Sequence, residues 1–154
     1  MLISVKKWVT KMFMGEYRHS IDAKGRLIIP SKLREQCGSL VVVTRGFDGC
    51  LALYPQEEWI RYYQKLQMLP RTKKEARNFV RIITSKASEC EFDKLGRINI
   101  PNVLKIEGKL EKECVIVGVG DYIEIWNASL WQNYYDLNKD KFDGILESLD
   151  GFDL

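Results

Sequence analysis

Asp22 and Arg26 stand four residues apart in Asp-Ala-Lys-Gly-Arg, and the pair returns as Asp93 and Arg97 in Asp-Lys-Leu-Gly-Arg. An acid and a guanidinium at this spacing, with glycine directly before the arginine, suit the two limbs of a tight reversal. There the carboxylate can accept N–H groups of the turn as well as a charged hydrogen bond from the arginine. Gly25 and Gly96 supply the positive φ that such reversals often need. A guanidinium braced in this way loses less entropy when it grips a phosphate or presents its fork to guanine O6 and N7. The chemistry expected is therefore recognition of a phosphate or a base edge, with Asp22, Gly25, Asp93, Gly96 and Arg97 keeping the reversals in shape. A purely structural staple competes with this reading at each turn.

The flanking residues separate the two copies. Arg18, His19, Lys24 and Arg26 surround the first turn, whereas the aligned positions of the second are Glu89, Cys90, Leu95 and Arg97. A reversal that gives up cationic handles gives up salt-dependent affinity for a polyanion, so DNA contact is assigned to Arg18, Lys24 and Arg26. For Asp93 and Arg97 the structural role is preferred. Leu95, standing where the first copy has Lys24, is a candidate contact between subunits.

Other chemistries find little support. The chain has one histidine, no phosphate-binding G-x-x-x-x-G-K-[ST] loop and no G-x-S-x-G nucleophile elbow, and Gly118-Val-Gly120 lacks the rest of a dinucleotide fingerprint. Glu57 and Glu58 sit at a helix start, where the helix dipole accounts for them. Cys37, Cys50, Cys90 and Cys114 are scattered with no C-x-x-C pair, so they read as buried thiols rather than metal ligands. No catalytic constellation, cofactor or metal is expected.

The elements that position the turns are themselves repeated. Asp22 to Pro30 is echoed by Asp93 to Pro101 with Asp, Gly, Arg, two apolar positions and Pro in register. Downstream, Leu51–Tyr54 matches Ile123–Trp126, Trp59 matches Trp131, and Tyr62-Tyr63 matches Tyr134-Tyr135, with the offset lengthened by one residue. Each copy reads as strand, turn, strand, short helix, strand, turn, strand, helix. Pro30 and Pro101 open the short helices, and Pro55 opens a helix carrying Trp59, Tyr62, Tyr63 and Leu66 on one face. Ala76, Phe79, Val80 and Ile83 mark a further helical stripe whose other face holds Lys73, Lys74, Arg77 and Arg81. That basic flank is expected to be solvated surface.

The fold class is therefore α+β, with an N-terminal extension over 1–11, a first module over 12–69, a connecting helix over 70–86, a second module over 87–138 and an acidic tail over 139–154. A unit of about 70 residues buries too little apolar surface for comfortable stability alone. The two modules should interlock about a pseudo-twofold axis, their hairpins completing one small β-barrel without open edges, with peripheral helices.

Residues 1–86 hold 17 Lys/Arg against 7 Asp/Glu (+10), and residues 87–154 hold 7 against 14 (−7). The first half attracts a polyanion and the second repels it, but two solvated surfaces would show the same asymmetry. Charge alone does not decide. Met1 to Lys11 lacks the continuous apolar stretch of a secretory signal, so a cytoplasmic location without membrane association is expected.

Gly15-Glu-Tyr-Arg-His-Ser-Ile-Asp-Ala-Lys-Gly-Arg26-Leu with Ile29-Pro30, and Glu89-Cys-Glu-Phe-Asp-Lys-Leu-Gly-Arg97 with Ile100-Pro101, together resemble the paired signatures of the MraZ family, relatives of the AbrB-like swapped-hairpin transcription factors. The resemblance runs from about Met12 to near residue 138. It implies a double-split-barrel fold and a nucleoid-associated regulator that binds short tandem boxes ahead of the division and cell-wall gene cluster. It also implies ring-shaped homo-oligomers, and double-stranded promoter DNA contacted through Lys24 and Arg26. Two other classes stand beside it, a non-catalytic ring scaffold and an RNA-binding module using the same basic turn.

Overall fold

The computed structural model describes residues 11–154. The expected extension over 1–11 lies, except for Lys11, outside the described residues. Eight strands and six helices follow in the order β1 (Glu16–Ser20), β2 (Arg26–Ile28), α1 (Ser31–Arg34), β3 (Leu40–Arg45), β4 (Leu51–Pro55), α2 (Gln56–Gln67), α3 (Lys74–Lys86), β5 (Ser88–Glu91), β6 (Arg97–Asn99), α4 (Asn102–Glu107), β7 (Glu113–Gly118), β8 (Ile123–Asn127), α5 (Ala128–Lys139) and α6 (Phe142–Ser148).

The strands form one six-stranded antiparallel sheet in the order β1-β7-β8-β4-β3-β5, and a separate two-stranded ribbon, β2-β6. The strand ladders between the repeats obey the pseudo-twofold. β1 of the first copy pairs with β7 of the second, and β5 of the second pairs with β3 of the first. Leu27 faces its own equivalent Ile98 in the ribbon, and Ala52 faces its equivalent Glu124 in the sheet, so the pseudo-axis passes through both pairs. The modules are interlocked, as their small size requires.

The expected closed barrel is not formed. β1 and β2 share the turn hydrogen bond from Asp22 N–H to the Arg26 carbonyl but no ladder, and β5 and β6 repeat this. The reason lies in the length of the ribbon strands. Each has three residues and stops before a proline, which has no N–H to donate and whose φ of −53° or −58° starts α1 or α4 instead. A strand this short cannot close the gap to the sheet, so β1 and β5 remain edges. The ribbon lies across the sheet as a second layer.

Alternation along the strands decides what covers each face. Val41, Val43, Leu51, Leu53, Ile116, Ile123 and Ile125 point to the ribbon side, where they meet Leu27, Ile29, Leu33, Ile98, Ile100 and Leu104 in the main core. The intervening residues face α2, α3 and α5. There Val115, Val117 and Trp126 pack with Leu130 and Trp131, while Tyr54 stacks with Tyr62 at 5.3 Å between ring centroids. Because both faces are covered, β3 reads as the unbroken run Val41-Val42-Val43-Thr44 rather than as an alternating strand. The Thr44 hydroxyl, fully buried, donates to the Ile83 carbonyl at 2.7 Å and ties α3 to the sheet.

Burial also fixes the state of the thiols. All four cysteines are free and buried, and desolvation raises Cys37 and Cys114 to about 11 and Cys50 and Cys90 in the same direction. They are protonated packing residues at neutral pH. Among the described residues no His, Cys, Asp and Glu cluster has metal-binding geometry, and no helix is long and apolar enough to cross a membrane.

Candidate nucleic-acid interface

The two Asp-Arg turns occupy opposite ends of the β2-β6 ribbon. In the first, Asp22 Oδ1 accepts the backbone N–H groups of Lys24 and Arg26, both at 2.9 Å, and Asp22 Oδ2 accepts Arg26 Nε at 2.6 Å. In the second, Asp93 Oδ1 accepts from Leu95 and Arg97 at 2.9 Å, and Oδ2 accepts Arg97 Nε at 2.8 Å. The Arg26 and Arg97 backbone N–H groups, opposed by partial desolvation and aided by the guanidinium side chains, hold both carboxyls below their ordinary value. A lowered carboxylate contributes its bracing fully above the ordinary range and loses it only as pH falls through the lowered value, so the brace is complete at neutral pH. Nε is engaged in each arginine, which leaves the Nη edge of the fork for another acceptor.

Gly25 has φ +87°, and its carbonyl accepts Ile100 N–H at 2.8 Å; Gly96 has φ +78°, and its carbonyl accepts Ile29 N–H at 3.1 Å. Each turn is thereby clamped to the other copy. A β-carbon on Gly25 would lie 2.7 Å from the Ile100 carbonyl oxygen, whereas one on Gly96 would meet the guanidinium of Arg34, a flexible end that can withdraw. Gly25→Ala is expected to cost roughly 2 kcal/mol or more, adding a backbone clash to the positive-φ penalty, and Gly96→Ala less. Urea unfolding of both variants checks the order, and a larger loss at Gly96 contradicts it.

On the ribbon, Leu27 and Ile98 point inward and are fully buried, so Arg26, Ile28, Arg97 and Asn99 share the outer face. Lys24 lies on the exposed part of its turn, and its ammonium makes no ion pair among the described residues. Arg18 is placed elsewhere. It stands on the α5 side of β1, where its Nη2 donates to Gln132 at 3.2 Å, and the structure does not bring it to the turn.

Two groups escaped the reading of the sequence. Lys105 of α4 packs at the first turn, with Cδ 3.7 Å from a β-carbon built on Gly25, and Arg34 of α1 covers the second turn while donating to the Ile29 carbonyl at 2.6 Å. They are themselves in register with the repeat, a signal available from their spacing. Lys94 is likewise exposed at the second turn where the first has Ala23, so that turn is not stripped of charge. Leu95 beside it is 68% exposed.

This two-copy geometry agrees with comparison to known proteins. The family described as "MraZ protein, putative antitoxin-like" matches twice, over residues 12–82 and 83–152. The chain belongs to the MraZ family. A protein of Ligilactobacillus salivarius named transcriptional regulator MraZ is 57% identical over 143 residues, covering 93% of this chain and all of that protein. One of the same name from Limosilactobacillus reuteri is 55% identical over 138 residues, covering 90% and 97%. Membership in the MraZ family places the chain among transcriptional regulators rather than enzymes. The boundary between the two matches falls inside α3, after residue 82, and the second match runs through α6.

Proposed function

We propose that the chain is a cytoplasmic, nucleoid-associated, sequence-specific DNA-binding regulator that engages tandem promoter boxes as a ring-like homo-oligomer. The observation that carries the reading is the first turn, where Asp22 braces Arg26 through Nε, leaving its Nη edge for another acceptor, and exposed Lys24 makes no ion pair among the described residues. Lys24 supplies a point charge for phosphate, Arg26 supplies a planar fork for a base edge or phosphate, and Lys105 adds charge from behind. Arg18, on the far face of the sheet, does not share their approach to a duplex. Residues 12–69 and 87–138 act as the working modules in this reading, joined by 70–86 and followed by the tail 139–154. The division and cell-wall gene cluster is the target that the family likeness suggests.

One turn makes few contacts, so affinity for an isolated box is expected to be weak. Several turns held by one assembly gain through effective concentration, and tandem boxes in helical phase should bind about 100-fold or more tighter than one. Gel shifts at constant salt, with one box against three, measure the ratio. Equal affinity for both contradicts the assembly part of the proposal.

A second reading has an observation of its own. Arg97 is braced like Arg26 and lies with Lys94 and Arg34 at the far end of the ribbon, so both ends carry cations that can meet nucleic acid. Comparison of Arg26 and Arg97 variants distinguishes the two.

A further inference from the structure

Between α2 and α3 runs an open apolar cleft of about 220 Å³, floored by Leu66, Leu69, Pro70, Ala76 and Val80 and rimmed by Arg71, Arg77 and Arg81. Arg77 braces the rim by donating to the Arg71 carbonyl at 2.9 Å. At the other end of the chain, α6 carries Phe142, Ile145 and Leu146 at helical spacing, with Leu149 directly after its last turn. No residue of α6 is buried among the described residues, and Phe142 is 68% exposed. By contrast α3, which follows the aromatic helix α2, places Ile83 against β3 at 3% exposure, while no α6 side chain is covered in this way among the described residues.

The charges of the two features are opposite. Residues 142–154 carry Asp143, Glu147, Asp150 and Asp153 with no Lys or Arg, while the cleft and its flank carry Arg71, Lys73, Lys74, Arg77 and Arg81. The stripe of α6 is apolar with acidic flanks; the cleft is apolar with basic rims. Neither covers the other within one chain.

We infer that α6 of one copy docks in the α2–α3 cleft of the next, a head-to-tail contact between second copies of this chain. Donor and acceptor surfaces differ, so the contact is heterologous and propagates until rotation closes a ring. This inference rests on the assembly part of the proposed function and supplies its interface. It also gives the +10 and −7 halves a use within the assembly.

The test is charge reversal in the full chain, read by light scattering after size exclusion. Arg71→Glu with Arg81→Glu, and separately Asp143→Lys with Glu147→Lys, are each expected to reduce a multi-chain species to the 18.0 kDa single chain. All four changes together should restore the assembly. The substituted acidic side chains and Arg81 are exposed, so circular dichroism and melting should stay unchanged. A wild-type assembly indifferent to either pair overturns this contact and leaves the ring reading standing, and so does a quadruple variant that fails to reassemble. A monomeric wild type overturns both, while binding of a single box through the first turn is read independently of either.

Discussion

Arg26→Ala is expected to lower affinity for a single promoter box by about 10- to 100-fold, the scale of losing one bidentate contact to a base, with the fold intact. Arg97→Ala is expected to retain most of that affinity. The contrast is informative because the two arginines are locally alike. Each is braced through Nε by an aspartate four residues earlier, and both lie on the outer face of the ribbon. Their ion pairs are partly exposed, 35% and 37% at the first turn against 24% and 37% at the second, so solvent screening leaves each a small and similar share in stability. A large difference in DNA affinity therefore cannot arise from unfolding. Fluorescence anisotropy at one fixed salt concentration, with urea melts of the same preparations, separates the effects. Equal losses of affinity favour the two-ended reading.

Leu27→Ala should have the largest effect on stability, a loss of about 2–5 kcal/mol. Leu27 is fully buried, sits on the pseudo-axis opposite Ile98 and packs between ribbon and sheet. A cavity there is felt by both copies, because each copy's ribbon strand and first sheet strand pair with the other copy. Urea unfolding should remain a single transition with a lowered midpoint and an unchanged slope. Two separated transitions, with one repeat surviving the other, contradict the interlock.

Much of this arrangement was legible in the residues. The nine-residue echo identified the two turns, the prolines located the short helices, and the apolar runs gave the order of strands, turns and helices within each copy. Partner choice was not legible. Period-two alternation says which side of a strand is buried but not which strand lies beside it, so the exchange of β1 and β5 between copies had to come from the pairing itself. Barrel closure failed for a related reason, since three-residue ribbon strands ending at Pro30 and Pro101 leave too few N–H groups to span both layers. The placement of Arg18 was recoverable from parity: Tyr17 packs on the core, so Arg18 faces the other way. In the tail, acidic composition hid the apolar stripe of α6. Around the turns, Lys94, Arg34 and Lys105 are not among the positions where the second copy loses a cation, so the aligned losses do not mark them.

DNA recognition by this chain turns on where the first turn points when nucleic acid is bound. A structure of the protein on a duplex carrying its tandem boxes tests this most directly. It should place Lys24 and Arg26 within hydrogen-bond distance of phosphate or base edges, with Asp22 still holding Arg26 Nε. A complex in which those side chains face solvent, and the duplex lies against the long-helix face of the sheet, would contradict the claim.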